Sequence, residues 1–255
     1  MVIFLGRALG CGAVVAGESL GAAMGLKADL SLEIDETFSR VWKEETTTSI
    51  PTPEVLRLNA NHAKQLEGAT VLYADLDSST AMVDNYNWQF SAEIYKTYLR
   101  CASRIIKSEG GTITAYDGDR VMAVFVGDTK NTTAVRAALK INYAVGEILQ
   151  PAIRTFYPNT DFLVNHVVGI DTGTLRAARI GVRGDNDIVW IGRAANYAAK
   201  LCTLPEKPLW ITKDVYIRLM DEVKFHNGNP MWKKMTWNSM NKMEIYCSTY
   251  RYKVE

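Results

Sequence analysis

Cysteine is scarce and scattered. The four, Cys11, Cys101, Cys202 and Cys247, stand far apart and form no C-x-x-C pair, which argues against a zinc site and a disulfide framework and fits buried thiols in a reducing cytosol. Histidine is scarcer: His62, His166 and His226 have no evident Ser or Cys partner, and no G-x-S-x-G occurs, so nucleophilic hydrolase chemistry has no foothold. Neither sign of charge prevails. With 29 basic and 28 acidic residues the net charge is +1; the bulk charge advertises no nucleic acid and no acidic membrane, but it is blind to local basic patches. Also missing is any unbroken apolar run of about 20 residues. Met1 to Leu26 is rich in Ala, Gly and Val, but Arg7 and Glu18 interrupt it, so no membrane span is expected. Two readings of that stretch stay open, a weakly ordered tail or residues upstream of a start at Met24.

What is present is a pair of apolar, β-prone runs, each carrying an Asp where an uncompensated carboxylate is costly. In Ala69 to Thr80, Thr70 to Ala74 reads as a buried strand with Asp75 at its end, and Asp77-Ser78-Ser79-Thr80 offers a turn and a helix N-cap. In Gly111 to Val126, Asp117-Gly118 is a hairpin signal between Thr112–Tyr116 and Arg120–Val126, with Asp119 beside the tip. Two carboxylates on adjoining strand ends, beside a Ser/Ser/Thr loop, suit one or two hard cations holding a triphosphate. The competing reading makes all of these Asp residues solvent-facing turn residues; Asp77 and Asp117 fit it well, Asp75 less so because Leu72, Ala74 and Leu76 surround it.

The rest of the chain alternates. Asp29–Lys43 carries the helical stripe Leu30, Leu32, Ile34, Phe38 and Val41. Thr46 to Pro53 is a breaker-rich linker, His62 reads as a surface or capping histidine, and the first core strand is expected to start at Glu67-Gly68. The domain boundaries follow: 1–66 as tail, helix and linker, 67–255 as one domain. Phe90 to Ser108 is a helix with Ile94, Tyr98, Cys101 and Ile105 on one face. A second long helix starts at Asn131 or Thr132 and is expected to stop at Pro151. Phe162 to Ile170 is a strand, with a turn at Gly169–Gly173, then another strand, a polar hairpin, and a short helix from Arg193 to Leu204. Leu209–Thr212 and a last antiparallel pair close an α+β sandwich, a mostly antiparallel sheet with outer helices.

Asp75-Leu76, the small-residue loop, the helix pair and Asp117-Gly118-Asp119 resemble the catalytic half of class III nucleotidyl cyclases. Trp190-Ile191-Gly192-Arg193-Ala194-Ala195-Asn196-Tyr197-Ala198-Ala199-Lys200-Leu201 resembles that family's Trp-Gly-Asp-x-Val-Asn-x-Ala-x-Arg-Leu signature. The resemblance covers roughly Glu67 to the C-terminus and implies a ferredoxin-like domain. It implies two Mn²⁺ or Mg²⁺ ions per site, held by Asp75, Asp119 and the backbone carbonyl of Leu76. It also implies backbone donors from Ser78, Ser79 and Thr80 to the triphosphate, where similar enzymes usually have Gly-Phe-Thr. Asn196 would orient the ribose and Lys200, where the family commonly has Arg, would stabilise charge at phosphorus; Lys brings the charge without the planar fork. Arg193, replacing a usual Asp, could reach a phosphate; Arg176 and Arg179 are weaker candidates. In similar enzymes the two halves of the site meet across a head-to-tail homodimer.

The family's purine readers lie four residues before the second metal Asp and seven before the Asn. Here those positions are Ala115 and Val189, which offer no side-chain hydrogen bond, and Tyr116 could fill space otherwise taken by a purine. Tyr116 equally suits a packed strand aromatic, since neighbours on a strand face opposite sides. The chain most resembles the pyrimidine cyclases of bacterial anti-phage (Pycsar) signalling. This implies cytoplasmic cyclic UMP or cyclic CMP, UTP being favoured over CTP, read by a separate effector. An ordinary adenylate or guanylate cyclase, and a non-catalytic nucleotide-binding module, remain the alternatives.

Overall fold

The computed structural model describes residues 23–204 and 206–255; the expectations for 1–22, Cys11 included, lie outside them. The chain divides between Val41 and Trp42 into two units. In the first, helix α1 (Ala23–Ser39) ends earlier than the sequence pattern suggests, and Leu30, Leu32, Ile34 and Phe38 of its stripe are exposed.

The second unit starts well before Glu67. Strand β1 (Lys43–Thr46) pairs in parallel with the first half of β2 (His62–Asp77), so residues expected to precede the domain are built into its sheet. Glu67-Gly68 is not the beginning of β2 but a bulge within it, between Leu66 and Ala69. The extra residue reverses the inward alternation, which keeps Leu66, Ala69 and Val71 on one side of the sheet. His62 is buried rather than superficial, its Nδ1 accepting from Arg57 N at 3.4 Å.

Helices α2 (Ser79–Asn85) and α3 (Trp88–Ser108) follow, then the hairpin β3 (Thr112–Asp117) and β4 (Arg120–Phe125). Asn87 caps α3 through Phe90 N. Helix α4 (Lys130–Ala144) does not use Asn131 or Thr132 as a cap. Both are buried in its first turn and bond outward: Thr70 Oγ1 donates to Asn131 Oδ1 at 3.0 Å, and Met220 N donates to Thr132 Oγ1 at 3.0 Å. Nor does Pro151 end the helix. A π turn over Val145–Leu149 shifts the hydrogen-bond register, and Pro151 falls in the first turn of α5 (Gln150–Phe156), where its missing N–H costs little.

Strand β5 runs unbroken from Asn165 to Val182, through the Gly169–Gly173 segment expected to turn. It is followed by β6 (Asp185–Ile191), α6 (Arg193–Leu201), β7 (Leu209–Thr212), the single turn α7 (Lys213–Tyr216), the small pair β8 (Phe225–His226) and β9 (Asn229–Pro230), and β10 (Lys233–Trp237) with β11 (Met243–Ser248). The sheet order is β10-β11-β7-β5-β2-β4-β3, antiparallel except for β5–β7 and the side pair β1–β2, with β6 alongside β5. One face, carrying Leu72, Ala74, Val121, Phe125, Val168 and Ile170, is covered by α3 and α4 over a large aliphatic core. The other, carrying Val71, Met122, Val124 and Leu175, is covered by α6 through Ala194, Ala195 and Ala198.

Candidate active site

The face under α6 carries the charged groups. Asp117 and Arg120 are paired across the turn Gly118-Asp119, with Gly118 at φ +59°, so Asp119 sits at the hairpin tip. Arg120 reaches back along the sheet. Its Nη2 lies 3.3 Å from Asp117 Oδ2 and its Nη1 4.0 Å from Asp75 Oδ2, and its guanidinium lies 5.6 Å from the centre of the Tyr73 ring. Burial pushes Asp75 up to about 6; Arg120 pulls the other way, and Asp119, Asp117 and Asp77 raise it further. Asp75 and Asp117 thus share one guanidinium, with Asp119 and Asp77 adding negative charge around Asp75, a balance that a bound cation would correct. Below, the fully buried Tyr98 donates its hydroxyl to Asp75 O at 3.2 Å and pins the strand end. The Leu76 side chain is buried in the opposite core, which leaves only its main chain for the site.

Among the described residues no group of three or more His, Cys, Asp or Glu side chains is arranged to enclose a metal. Asp75 and Asp119 fit the different case of Mg²⁺-type ions, which take one or two carboxylates and complete their shell with phosphates. Next to them Ser78 has φ +62°, caps α2 without a side-chain bond to it, and donates its hydroxyl to Asp77 Oδ1 at 3.2 Å.

Gly169 decides where α6 lies. A Cβ there would stand 2.2 Å from Ala198 O and 2.8 Å from Leu201 Cβ, so this glycine serves close helix-on-strand packing and not a turn. Pressed down this way, α6 buries Ala194, Ala195, Ala198 and Leu201 and leaves Asn196 and Lys200 exposed on its outer side. Lys200 Nζ has Met240 Sδ for a neighbour at 3.9 Å. Neither residue has a bond or ion pair to Asp75 or Asp119 among the described residues, so the two groups of candidate residues are not joined within the chain.

Arg193 is occupied. It pairs with Asp214, lies 3.4 Å from the wholly buried Asp171 and donates to Thr172 O, so it ties the start of α6 to β5 and α7. Burial raises the Asp171 carboxyl, and Thr212 Oγ1 donates to it at 2.5 Å. Arg176 pairs with Glu44, and Arg179 bonds Asn186 and Pro53 O.

Of the three positions expected around the base, only Ala115 shares the sheet face of Asp75. It lies opposite Met122, whereas Tyr116 lies opposite Val121 and turns to α3, its hydroxyl 2.9 Å from Ser103 Oγ. Val189 faces away from its neighbour Trp190, which packs with the α6 cluster. Strand alternation therefore removes the Tyr116 ring from any pocket on the Asp75 face. Sequence reasoning overlooked Arg120, Tyr98 and Asp171. Arg120 alone left a signal, a cation placed across a two-residue turn from Asp117.

No protein-family model matches the chain. It is 61% identical over 231 residues to a uridylate cyclase of Burkholderia cepacia and 51% identical over 232 residues to one of Xanthomonas perforans, covering 91% of this chain and 100% of each relative. A uridylate cyclase of Rhodovulum is 34% identical, with 89% of this chain and 97% of that protein covered. Among solved structures, the adenylyl cyclase CyaB of P. aeruginosa matches with a TM-score of 0.63 at 20% identity over 73% of this chain and 95% of that one. The guanylyl cyclase Cya2 gives 0.60 at 18% identity over 74% and 94%. Fold and sequence agree: the chain belongs to the class III nucleotidyl cyclases, in the group of the uridylate cyclases.

Proposed function

We propose that residues 42–255 form a cyclase unit that converts UTP to cyclic 3′,5′-UMP and pyrophosphate at two composite sites of a head-to-tail homodimer. The observation that carries this is the under-neutralised carboxylate set at Asp75 and Asp119 on a chain 61% identical to a uridylate cyclase. Asp75, Asp119 and the Leu76 carbonyl would hold Mg²⁺ or Mn²⁺, which when bound lowers the pKa of the ribose 3′-hydroxyl and neutralises the triphosphate. Backbone N–H groups of Ser78, Ser79 and Thr80 would receive phosphate oxygens. From the second copy, Asn196 would orient the ribose and Lys200 would offset charge gathering on the α-phosphoryl oxygens. The 3′-oxygen, its proton passing to solvent water, would attack the α-phosphorus in line, the bond to the oxygen bridging to the β-phosphorus would break, and pyrophosphate would leave with that oxygen.

Arg193 has no part in holding phosphate, being committed to Asp171 and Asp214. With Ala115 alone beside the site, the base is read by shape, main chain and water, which selects UTP over purines by about 1–3 kcal/mol per feature. CTP is the second substrate on the same reasoning. The product serves as a cytoplasmic second messenger in anti-phage defence, read by a separate effector.

The experiment is incubation of the pure protein with each nucleoside triphosphate and Mn²⁺ or Mg²⁺, with and without EDTA, and mass analysis of products. Cyclic UMP made only with metal is expected. ATP or GTP turned over as well as UTP ends the pyrimidine claim, and no product from any triphosphate ends the cyclase claim. Mixed Asp75→Asn and Asn196→Ala chains should regain activity in heterodimers; failure to do so overturns the composite site.

A further inference from the structure

Several cations on the body are ion-paired, Arg120, Arg136, Lys140, Arg176, Arg193, Arg218 and Arg251 among them, while others scattered over it, such as Arg154 and Lys207, have no ion pair with a described residue. Helix α3 is different. Lys96, Arg100, Arg104 and Lys107 are exposed along one side, and among the described residues none of them has an ion pair or a side-chain hydrogen bond. The single acid of the helix, Glu93, is engaged by the Tyr157 hydroxyl. Like charges at i, i+4 oppose helix formation, so helix stability does not account for this stripe. Its cations repeat about every 6 Å along the axis.

A second observation points to the occupant. Tyr116, 57% exposed, stands against the stripe with its hydroxyl fixed by Ser103. Leu99, Arg100, Ser103, Arg104, Lys107 and Tyr116 line a groove of about 360 Å³. An exposed aromatic ring tethered by a hydrogen bond and flanked by three cations without ion pairs is the pairing of stacking platform and phosphate track that single-stranded nucleic acid recognises. A membrane surface would call for exposed apolar groups among the cations; the exposed large apolar residue of α3 is Trp88 in its first turn, about 12 Å along the axis from Lys96, and Leu99, among the cations, is half-buried.

We propose that the outer face of α3, ending at Tyr116, is a docking site for single-stranded nucleic acid, separate from the cyclase site on the opposite face of the sheet. The test is fluorescence anisotropy of a labelled oligouridylate of about fifteen nucleotides, titrated with full-length protein between roughly 50 and 300 mM salt. Four contacts predict a slope of log K against log salt of about −3, and R100A/R104A should bring it to about −1.4. Tyr116→Leu should weaken binding about tenfold with the slope unchanged, the mark of lost stacking. R100A/R104A should retain wild-type melting and cyclase activity, which separates lost docking from misfolding and from any failure of the uridylate cyclase reading. Absence of binding, or binding that neither variant weakens, overturns the proposal. So does equal competition by phosphatidylserine vesicles together with an indifferent Tyr116→Leu, which would mark an anionic-membrane surface instead.

Discussion

The two faces of the central sheet obey different rules. Under α3 and α4 the face is packed with Leu72, Phe125, Ile170, Ile94, Leu139 and their neighbours; Thr70 there is satisfied by Asn131 and Thr172, and the buried His166, held neutral, is the polar group left with an unpartnered ring nitrogen. Under α6 the cover is a short helix of alanines, and beside it lie Asp75, Asp117 and Arg120 in an unbalanced cluster. One face uses its residues for burial, and the other leaves charge unsatisfied where an incoming group can complete it. A carboxylate kept at about 6 by burial and like charges is a cost the fold alone does not require.

The sharpest way to break that division is to remove charge from the α6 face. Asp75→Asn or Asp119→Asn should lower UTP turnover roughly a thousandfold, about 4 kcal/mol of transition-state stabilisation, without lowering the melting temperature, which for Asp75→Asn should rise at neutral pH as the buried charge is removed. Steady-state rates beside a thermal melt decide it; a folded Asp75→Asn, Asp119→Asn protein that still turns over would erase the distinction between the faces. Next in size is Gly169→Ala, where the faces meet through α6. The added methyl must displace the Ala198 carbonyl, and overpacking of this kind costs about 3 kcal/mol. Urea unfolding and kcat should fall together, because Asn196 and Lys200 ride on the helix that moves.

A third experiment addresses the α3 face alone. Burial holds His166 near about 4 instead of 6.5, with the charge on Arg251 adding to the effect. The unfolded chain therefore binds more protons between these values. The neutral ring's contribution is complete above pH 6.5 and is lost as pH falls through the window towards 4. Asp75, raised to about 6, works in the opposite sense, gaining stability as pH falls below that value, so the measurement belongs in the Asp75→Asn background. There, unfolding free energy should be about 2 kcal/mol lower at pH 5 than at pH 7, and His166→Gln should flatten the slope. The smallest effect is expected of Tyr116→Phe: under about 1 kcal/mol of stability from the lost Ser103 bond, and unchanged kcat/KM ratios among the four triphosphates. A shifted ratio would put the ring back beside the base.

Much of this was legible in the chain. Asp75 at a strand end, the Asp117-Gly118 hairpin and the short α6 all follow from apolar runs broken by turn residues, because local chemistry fixes them. What failed did so where tertiary packing overrode a local signal. Gly169 and Gly173 look like a turn, but the first is a notch for α6 inside an 18-residue strand. Pro151 looks like a stop, but a π turn resets the register ahead of it. For Tyr116 the sequence leaves two readings open, beside the base or packed in the strand, because distance from Asp119 does not say which side of the pleat it takes; the register past the bulge between Ile113 and Ala115 puts it on the α3 side. Arg193 looked free because Asp171 and Asp214, its partners, are distant in sequence.

Arg120 gives the resting protein a counter-ion of its own. On the proposed mechanism, metal binding would then be an exchange and not an addition: the guanidinium, 4.0 Å from Asp75, would give up that carboxylate to a divalent ion. Free cation meets that competition unaided. A cation arriving on a nucleotide brings phosphates with which the released guanidinium can pair, so the same swap restores neutrality on both sides. A site of this kind would discriminate against the bare ion and respond to the metal–nucleotide complex, so that its occupancy would follow substrate supply instead of the metal content of the cell.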